Sequence, residues 1–117
     1  MKILFTTESY YPDMCGVSNV VTKLAEGLSS IDHDVTVFTE KRDREFSSHN
    51  GVKIIEFNVK GNVLSGYKGE VEKYKNSLLA YDGDVVINEC AQIWSSDLAF
   101  DILDNLKLKK VFHSHGY

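Results

Sequence analysis

Proline and cysteine are scarce in this chain of 117 residues, and long apolar runs are absent. The two cysteines, Cys15 and Cys90, form no CxxC motif and no disulfide framework, which favours a reducing compartment. No run of 18 or more apolar residues occurs, so no helical membrane span is predicted. We therefore expect a cytoplasmic protein, with peripheral association at the inner membrane face as an open alternative for a longer protein.

Positive charge is scarce as well. The chain carries 13 Lys and Arg residues against 17 Asp and Glu residues, a formal net charge of −4. Nucleic-acid binding calls for a basic stripe, and the only candidate patch is Lys41, Arg42 and Arg44. The composition therefore predicts no nucleic-acid partner.

Apolar segments of two kinds alternate along the chain. Short β-branched or aromatic runs predict strands, and apolar residues at helical spacing predict amphipathic helices. The predicted strands are Lys2–Thr6, Asp34–Thr39, Val52–Phe57, Asp84–Asn88 and Lys109–His113. The predicted helical stripes are Val17, Val20, Val21, Leu24 and Leu28; Val71, Tyr74, Leu78 and Leu79; and Trp94, Leu98, Ala99, Ile102, Leu103 and Leu106.

This alternation predicts one α/β domain over residues 1–117, with a Rossmann-like, mostly parallel sheet flanked by helices. Lys41–Asn50 is predicted as a loop, and Gly61, Gly66 and Gly69 indicate an irregular stretch. In such sheets ligands bind outside the carboxyl ends of the strands. A site is therefore expected from residues 7–16, 39–41, 88–92 and 113–117.

The first candidate is the join between loop and helix at Gly16. A glycine there lets backbone approach a ligand, and the N–H groups of Gly16 and Val17 would face an anion such as a phosphate. A simple tight turn, capped by Ser18 or its neighbour, explains the same pattern. The dinucleotide motif GxGxxG is absent, which argues against NAD as cofactor.

The remaining candidates follow the later strands. His113 and His115 share a strand face, but no third ligand with suitable spacing accompanies them, so no metal is expected. His115 is the better candidate for a substrate contact, with a structural role as the alternative. Glu89 is either an acceptor-binding carboxylate or a solvated one. Trp94 is expected in the core rather than as a sugar-stacking surface.

Several segments together resemble the amino-terminal domain of family 4 retaining glycosyltransferases, which have the GT-B fold. That family shows a strand, a tyrosine-proline loop, a glycine turn, a helix and a Val-Thr-Val strand, and later an Asp-Val-Val strand and a strand-terminal His-Gly. The matching residues here are Tyr11-Pro12, Gly16, Leu24, Ala25, Leu28, His33, Val35-Thr36-Val37, Asp84-Val85-Val86 and His115-Gly116. Two positions depart from the family: Cys15 replaces the first glycine of the turn, and Asn88-Glu89 replaces a frequent histidine.

The resemblance implies that this domain is one half of a GT-B fold and holds the acceptor. A carboxyl-terminal domain absent from this chain would hold most of the nucleotide-sugar donor, so the chain alone is expected to be inactive. It further implies a donor-phosphate contact at Gly16 and Val17, acceptor contacts at Tyr11 and Glu89, and His115 as the catalytic histidine. The acceptor would be a saccharide or a lipid-linked saccharide, in cell-surface polysaccharide or glycolipid synthesis, with no metal required.

Two other classes remain as alternatives. A nucleotide- or ligand-binding Rossmann-like module without catalysis would show the same alternation of elements. A receiver domain would need a phosphorylatable aspartate after the third predicted strand, where Phe57-Asn58 stands instead.

Overall fold

The structure is a computed structural model that describes residues 1–13, 15–62, 66–89, 94–100, 102, 105–106 and 108–113. Within these residues strands and helices alternate, as the apolar pattern predicts. The strands are β1 (Lys2–Thr6), β2 (Asp34–Glu40), β3 (Ser48–His49), β4 (Val52–Phe57), β5 (Val59–Asn62), β6 (Gly66–Gly69), β7 (Val85–Glu89) and β8 (Lys109–His113). The helices are α1 (Gly16–Ser30), α2 (Val71–Ala80) and α3 (Trp94–Phe100).

Six strands form one sheet in the order β3-β4-β2-β1-β7-β8. Neighbouring strands are parallel except for β3, which pairs antiparallel with β4. The predicted α/β class with a mostly parallel sheet is therefore confirmed.

The two faces of the sheet are buried against different helices. Ile3 and Phe5 of β1 belong to a core cluster with Val21 and Ala25 of α1. Leu4, which points to the opposite face, belongs to a cluster with residues of α2 and α3. Burial on both faces explains why β1 reads as an unbroken apolar run.

The apolar stripe predicted on α1 is partly wrong. Val20 and Leu24 are exposed, whereas Ser18, Val21 and Ala25 are buried. Small side chains at Ser18 and Ala25 take the positions nearest the sheet, so the buried row is narrower than the apolar residues alone indicate.

Three segments between the predicted elements also differ from expectation. The predicted loop Lys41–Asn50 contains the short edge strand β3. The stretch expected to be irregular forms the β5–β6 hairpin, in which Gly69 adopts a φ of 98°. A Cβ at Gly69 would lie 2.0 Å from the carbonyl oxygen of Asn58, so only glycine fits. Helix α3 comprises Trp94–Phe100, and Ile102, which was expected on the helical stripe, lies in a turn.

No helix in the described part of the chain is long and apolar enough to cross a membrane. Trp94 is buried in the core and lies edge-on to Tyr74, with ring centroids 4.9 Å apart, as predicted for a core residue.

Candidate functional site at the carboxyl edge of the sheet

The strand order reverses between β1 and β7, the place where open parallel sheets form a ligand-binding crevice. After β1 the chain passes through α1 to β2 on one side, and after β4 it crosses to β7 on the other side of β1. When the connections that follow two adjacent parallel strands run to opposite sides of the sheet, a gap opens between them at the carboxyl ends of those strands. The loop that follows β1 and the last residue of β7, Glu89, therefore border the candidate site.

A buried hydrogen bond joins the two strands at this point. The Thr6 hydroxyl donates to Asn88 Oδ1 at 2.6 Å, and both residues are buried. The two residues are also register partners in the parallel ladder. This bond fixes the floor of the crevice.

An acid and a histidine lie side by side at the ends of β7 and β8. Glu89 is fully buried, whereas the His113 side chain is 44% exposed. His113 Nδ1 lies 2.9 Å from Glu89 Oε2. An ionised carboxylate only accepts hydrogen bonds, so in that state Nδ1 carries the proton and Nε2 is the nitrogen with a lone pair. This arrangement orients an imidazole that can take or give a proton.

The amino end of α1 borders the crevice from the loop after β1. Cys15 is the N-cap residue, and its Sγ accepts from the Ser18 N–H at 3.4 Å. The Ser18 hydroxyl instead donates to the Asp13 carbonyl, so the predicted cap at Ser18 is wrong, and Cys15, three residues earlier, takes that role. A Cβ added to Gly16 would meet no atom within 4 Å, which leaves open space beside the first helical turn.

Two arginines hold the loop between β2 and β4 against the loop after β1. Arg44, whose side chain is fully buried, donates to the carbonyl groups of Tyr10, Tyr11 and Glu40 and to the carboxylate of Glu56. Arg42 pairs with Glu40 and lies 3.3 Å from Asp13 Oδ2. The two arginines of the basic cluster noted in the sequence are thus neutralised within the fold.

Glu8 is a half-buried carboxyl at the same edge. Burial, followed by the nearby negative charge of Glu40, raises the pKa of Glu8 above its usual range. Its backbone carbonyl accepts from the Thr39 hydroxyl at 3.1 Å, which ties the loop to β2. A carboxyl with a perturbed pKa in a crevice is typical of a functional site.

The residues predicted from sequence meet different outcomes. Gly16, Val17 and Glu89 lie where the chain enters or leaves the carboxyl edge, as expected. Tyr11 packs in an aromatic cluster with Phe46 and His49, and its contact with an acceptor stays a prediction. His115 lies outside the described residues, as do Cys90 and the expected convergence of Gly16 with His115, which stays a prediction.

His113 is a site residue that the sequence analysis ranked below His115. The signal that identifies it is an acid directly after the predicted strand Asp84–Asn88 and a histidine at the end of the next predicted strand, Lys109–His113. In parallel register these positions pair directly, as Glu89 and His113 do. Among the described residues, no group of three or more potential ligands is placed to hold a metal ion.

A scan against protein-family models finds no match for this chain, and a comparison with curated proteins finds none either. Among solved structures, the chain is similar to sucrose-phosphate synthase from Thermosynechococcus elongatus, with a TM-score of 0.71 at 16% sequence identity. The likeness covers 97% of this chain but 33% of that chain, so this chain spans about a third of its length. At this identity the likeness bears on the fold, and it agrees with the Rossmann-like α/β architecture.

Proposed function

We propose that this chain is the acceptor-side half of a GT-B glycosyltransferase that transfers a sugar from a nucleotide-sugar donor to an acceptor. The observation that carries the proposal is the Glu89–His113 pair, which stands at the carboxyl edge beside the crevice between β1 and β7. The fold likeness to a sucrose-phosphate synthase supports it.

The charge of this edge favours a hydroxyl-bearing acceptor over a phosphate. The carboxylates of Glu8, Asp13, Glu40, Glu56 and Glu89 outnumber the guanidinium groups of Arg42 and Arg44. Carboxylates accept hydrogen bonds from sugar hydroxyls but repel a diphosphate at short range. A second domain would therefore supply most of the positive charge that the donor needs, and that domain lies outside this chain in our proposal.

The donor approaches this half at one place, the amino end of α1. The N–H groups of Gly16 and Val17 point along the helix axis, and the helix dipole stabilises negative charge that develops on a departing nucleoside diphosphate. His113, oriented by Glu89, would exchange a proton or a hydrogen bond with a sugar hydroxyl. His115 remains the predicted catalytic histidine near the donor sugar.

The finer parts of the proposal come from the family resemblance. Transfer would proceed with retention of configuration and without a divalent metal. The product would be a cell-surface polysaccharide or glycolipid made in the cytoplasm, with the enzyme peripherally attached to the inner membrane face. Closure of the second domain would exclude water from the donor.

The test measures release of nucleoside diphosphate from UDP- and GDP-sugars by the longest polypeptide that the gene encodes. We expect acceptor-dependent release, with none from residues 1–117 alone because one wall of the cleft is absent. His113→Asn should lower kcat by about 100-fold or more, as loss of a general acid or base does. His115→Ala should likewise lower turnover more than it lowers the melting temperature.

Two results would contradict this function. Turnover by residues 1–117 alone would show that no second domain is needed. Binding of nucleotide-sugar by the longer polypeptide without any release, with or without acceptors, would favour a ligand-binding module instead.

A further inference from the structure

A second concave surface lies along one flank of α1. It shares Tyr11 and Asp13 with the loop after β1, but neither Glu89 nor His113 lines it. The cleft has a volume of about 290 Å³ and runs between α1, the loop before it and the turn after β3. Asn19, Thr22, Lys23 and Glu26 line its helical side at intervals of 3, 1 and 3 residues. These spacings place them on one face of the helix, beside the buried row.

The opposite wall is aromatic and held rigidly. Tyr11 stacks on His49 with ring centroids 4.0 Å apart and planes 8° from parallel, and Phe46 packs against both rings. The backbone of Tyr11 is held in place because the buried Arg44 side chain donates a hydrogen bond to the Tyr11 carbonyl at 2.7 Å. A wall built this way needs little reorganisation when a ligand binds.

The polar groups of the cleft alternate between donors and acceptors. Glu26 Oε2 accepts from Asn50 Nδ2 at 3.0 Å and lies 3.6 Å from His49 Nε2, which fixes this carboxylate at one end. Asp13 lines the cleft as well. Within the described residues, neither the Asn19 amide nor the Lys23 ammonium has a side-chain hydrogen bond, and both residues are exposed. Both groups are thus open to a ligand.

The charge and size of the cleft select its ligand. The carboxylates of Asp13 and Glu26 line the cleft with one ammonium, that of Lys23, and Arg42 lies 3.3 Å from Asp13 Oδ2. The lining therefore carries no excess of positive charge that would favour an anion. Ligand sites for drug-sized molecules begin near 300 Å³, which leaves room here for about one six-membered ring. A sugar hydroxyl both donates and accepts, which suits amides and carboxylates, and the C–H face of a pyranose suits an aromatic ring.

We propose that the cleft formed by Tyr11, His49 and the Asn19–Glu26 face of α1 binds one uncharged pyranose ring. The ring is either a free monosaccharide or one residue of a longer saccharide. Binding needs no nucleotide-sugar and no second domain, so it stands or falls independently of the transfer reaction.

The experiment titrates ¹⁵N-labelled chain with glucose, galactose, mannose and N-acetylglucosamine, and with the methyl glycoside of each. Inorganic phosphate serves as the anionic probe. We expect at least one sugar to shift the amide signals of Tyr11, Asn19, Glu26 and Asn50 in a saturable way, while phosphate leaves these signals in place. Binding of the methyl glycoside assigns the ring to a saccharide chain, whereas binding of the reducing sugar alone assigns it to a free monosaccharide.

Matched variants separate this site from general surface effects. Asn19→Leu should weaken binding by about tenfold or more, since a good hydrogen bond in a site contributes about that factor. Asn76→Leu makes the same change at an exposed position of α2 outside the cleft and should leave binding unchanged. Both variants should keep the dispersed amide spectrum of the folded chain.

The proposal is overturned if no sugar shifts these amides at concentrations up to about 50 mM, which corresponds to negligible affinity. It is equally overturned if the shifts map only to Glu89 and His113, which lie outside the cleft, if phosphate competes at the cleft, or if Asn19→Leu binds as tightly as the unaltered chain.

Discussion

Gly16 occupies a position where the fold itself does not demand a glycine. Its φ is not positive, and an added Cβ would meet no atom within 4 Å. The open space beside the first turn of α1 is therefore available to a ligand, and a methyl group there would intrude on that ligand rather than on the protein.

Gly16→Ala should separate folding from function. Because alanine is favoured over glycine in a helix, we expect the free energy of unfolding to stay equal or rise by up to about 1 kcal/mol in urea titrations. In the longer polypeptide the same change should lower nucleoside diphosphate release, since the methyl group keeps the phosphate from the N–H groups. Marked destabilisation would mean that the fold needs glycine after all, and unchanged release would remove the donor phosphate from this helix end.

Cys15 is exposed and is more acidic than an ordinary cysteine. The hydrogen bond from the Ser9 hydroxyl, 3.3 Å away, is the main cause that lowers the pKa of the thiol, and the Ser18 N–H adds to it. Because the thiolate is the reactive form, Cys15 should be alkylated by iodoacetamide at a lower pH than a free cysteine. Peptide mass spectrometry across a pH series reports Cys15 separately from Cys90.

Ser9→Ala should move the midpoint of that alkylation profile to higher pH. Ser30→Ala, at the other end of α1, removes a hydroxyl that donates to the Gly27 carbonyl and should leave the profile where it is. Equal midpoints for Ser9→Ala and the unaltered chain would show that the serine does not stabilise the thiolate.

Single residues were the least predictable part of the site. Glu89 could be assigned to the carboxyl edge because it directly follows a clear strand, and strand ends are readable from sequence. The contact of His113 with Glu89 depends on the pairing of β7 with β8, and the place of Tyr11 depends on a stack with His49 from a distant edge strand. Pairings between segments far apart in sequence leave no local signal.

The segment between β2 and β4 shows how one buried side chain organises an element that reads as a polar loop. Arg44 spans three backbone carbonyls and the Glu56 carboxylate with its planar guanidinium group. Lysine keeps the charge but has a single ammonium group, which cannot reach all of these acceptors at once.

Arg44→Lys should therefore destabilise the chain by about 3 kcal/mol, as the disruption of a buried ion pair does. Arg42→Lys is the matched control, since the Arg42 side chain is 31% exposed and its ion pairs should contribute about 1 kcal/mol or less. Urea unfolding of both variants measures the difference. A loss at Arg44 no larger than at Arg42 would mean that the loop is not held by this side chain.

At the scale of elements, the sequence analysis predicted best the bounds of strands. The strands β1, β4 and β8 have the predicted bounds. For β1 and β4 the reason is that an apolar run between polar turns has few other solutions in a parallel sheet. Strand β8 has the predicted bounds although its residues Lys109 to Phe112 are exposed. The pairing of β5 with β6 was missed. Gly61 and Gly69 are required there by close contact with neighbouring backbone, and a pattern of scattered glycines in a sequence does not reveal such contact. Val20 and Leu24 of α1 are exposed, although the sequence analysis assigned them to the core. Helical spacing alone does not show which of two adjacent rows of apolar residues faces the sheet.

Across the whole molecule, the carboxyl edge concentrates acidic groups at a cost to folding. Glu8 illustrates this cost. Because burial and the charge of Glu40 raise its pKa in the folded chain, folding favours the protonated carboxyl. The stability that protonated Glu8 contributes is fully present below the unfolded pKa and is lost as the pH rises through the folded pKa. An acid retained under these conditions is consistent with a role in binding hydroxyl groups.

Glu8→Gln should therefore make the chain more stable than its parent at neutral pH, and this gain should shrink to nothing as the pH falls below the usual glutamate range. Glu70→Gln supplies a control of opposite sign, because the Asn58 N–H and then Lys73 lower the pKa of Glu70. Its parent carboxylate stabilises the fold above the unfolded pKa, and that contribution disappears as the pH falls through the folded pKa. Urea unfolding from acid to neutral pH should thus give difference curves of opposite slope for the two variants. Parallel curves would mean that the carboxyl edge does not hold Glu8 in a desolvated state. Glu8 would then no longer be assigned to the acidic rim of the crevice.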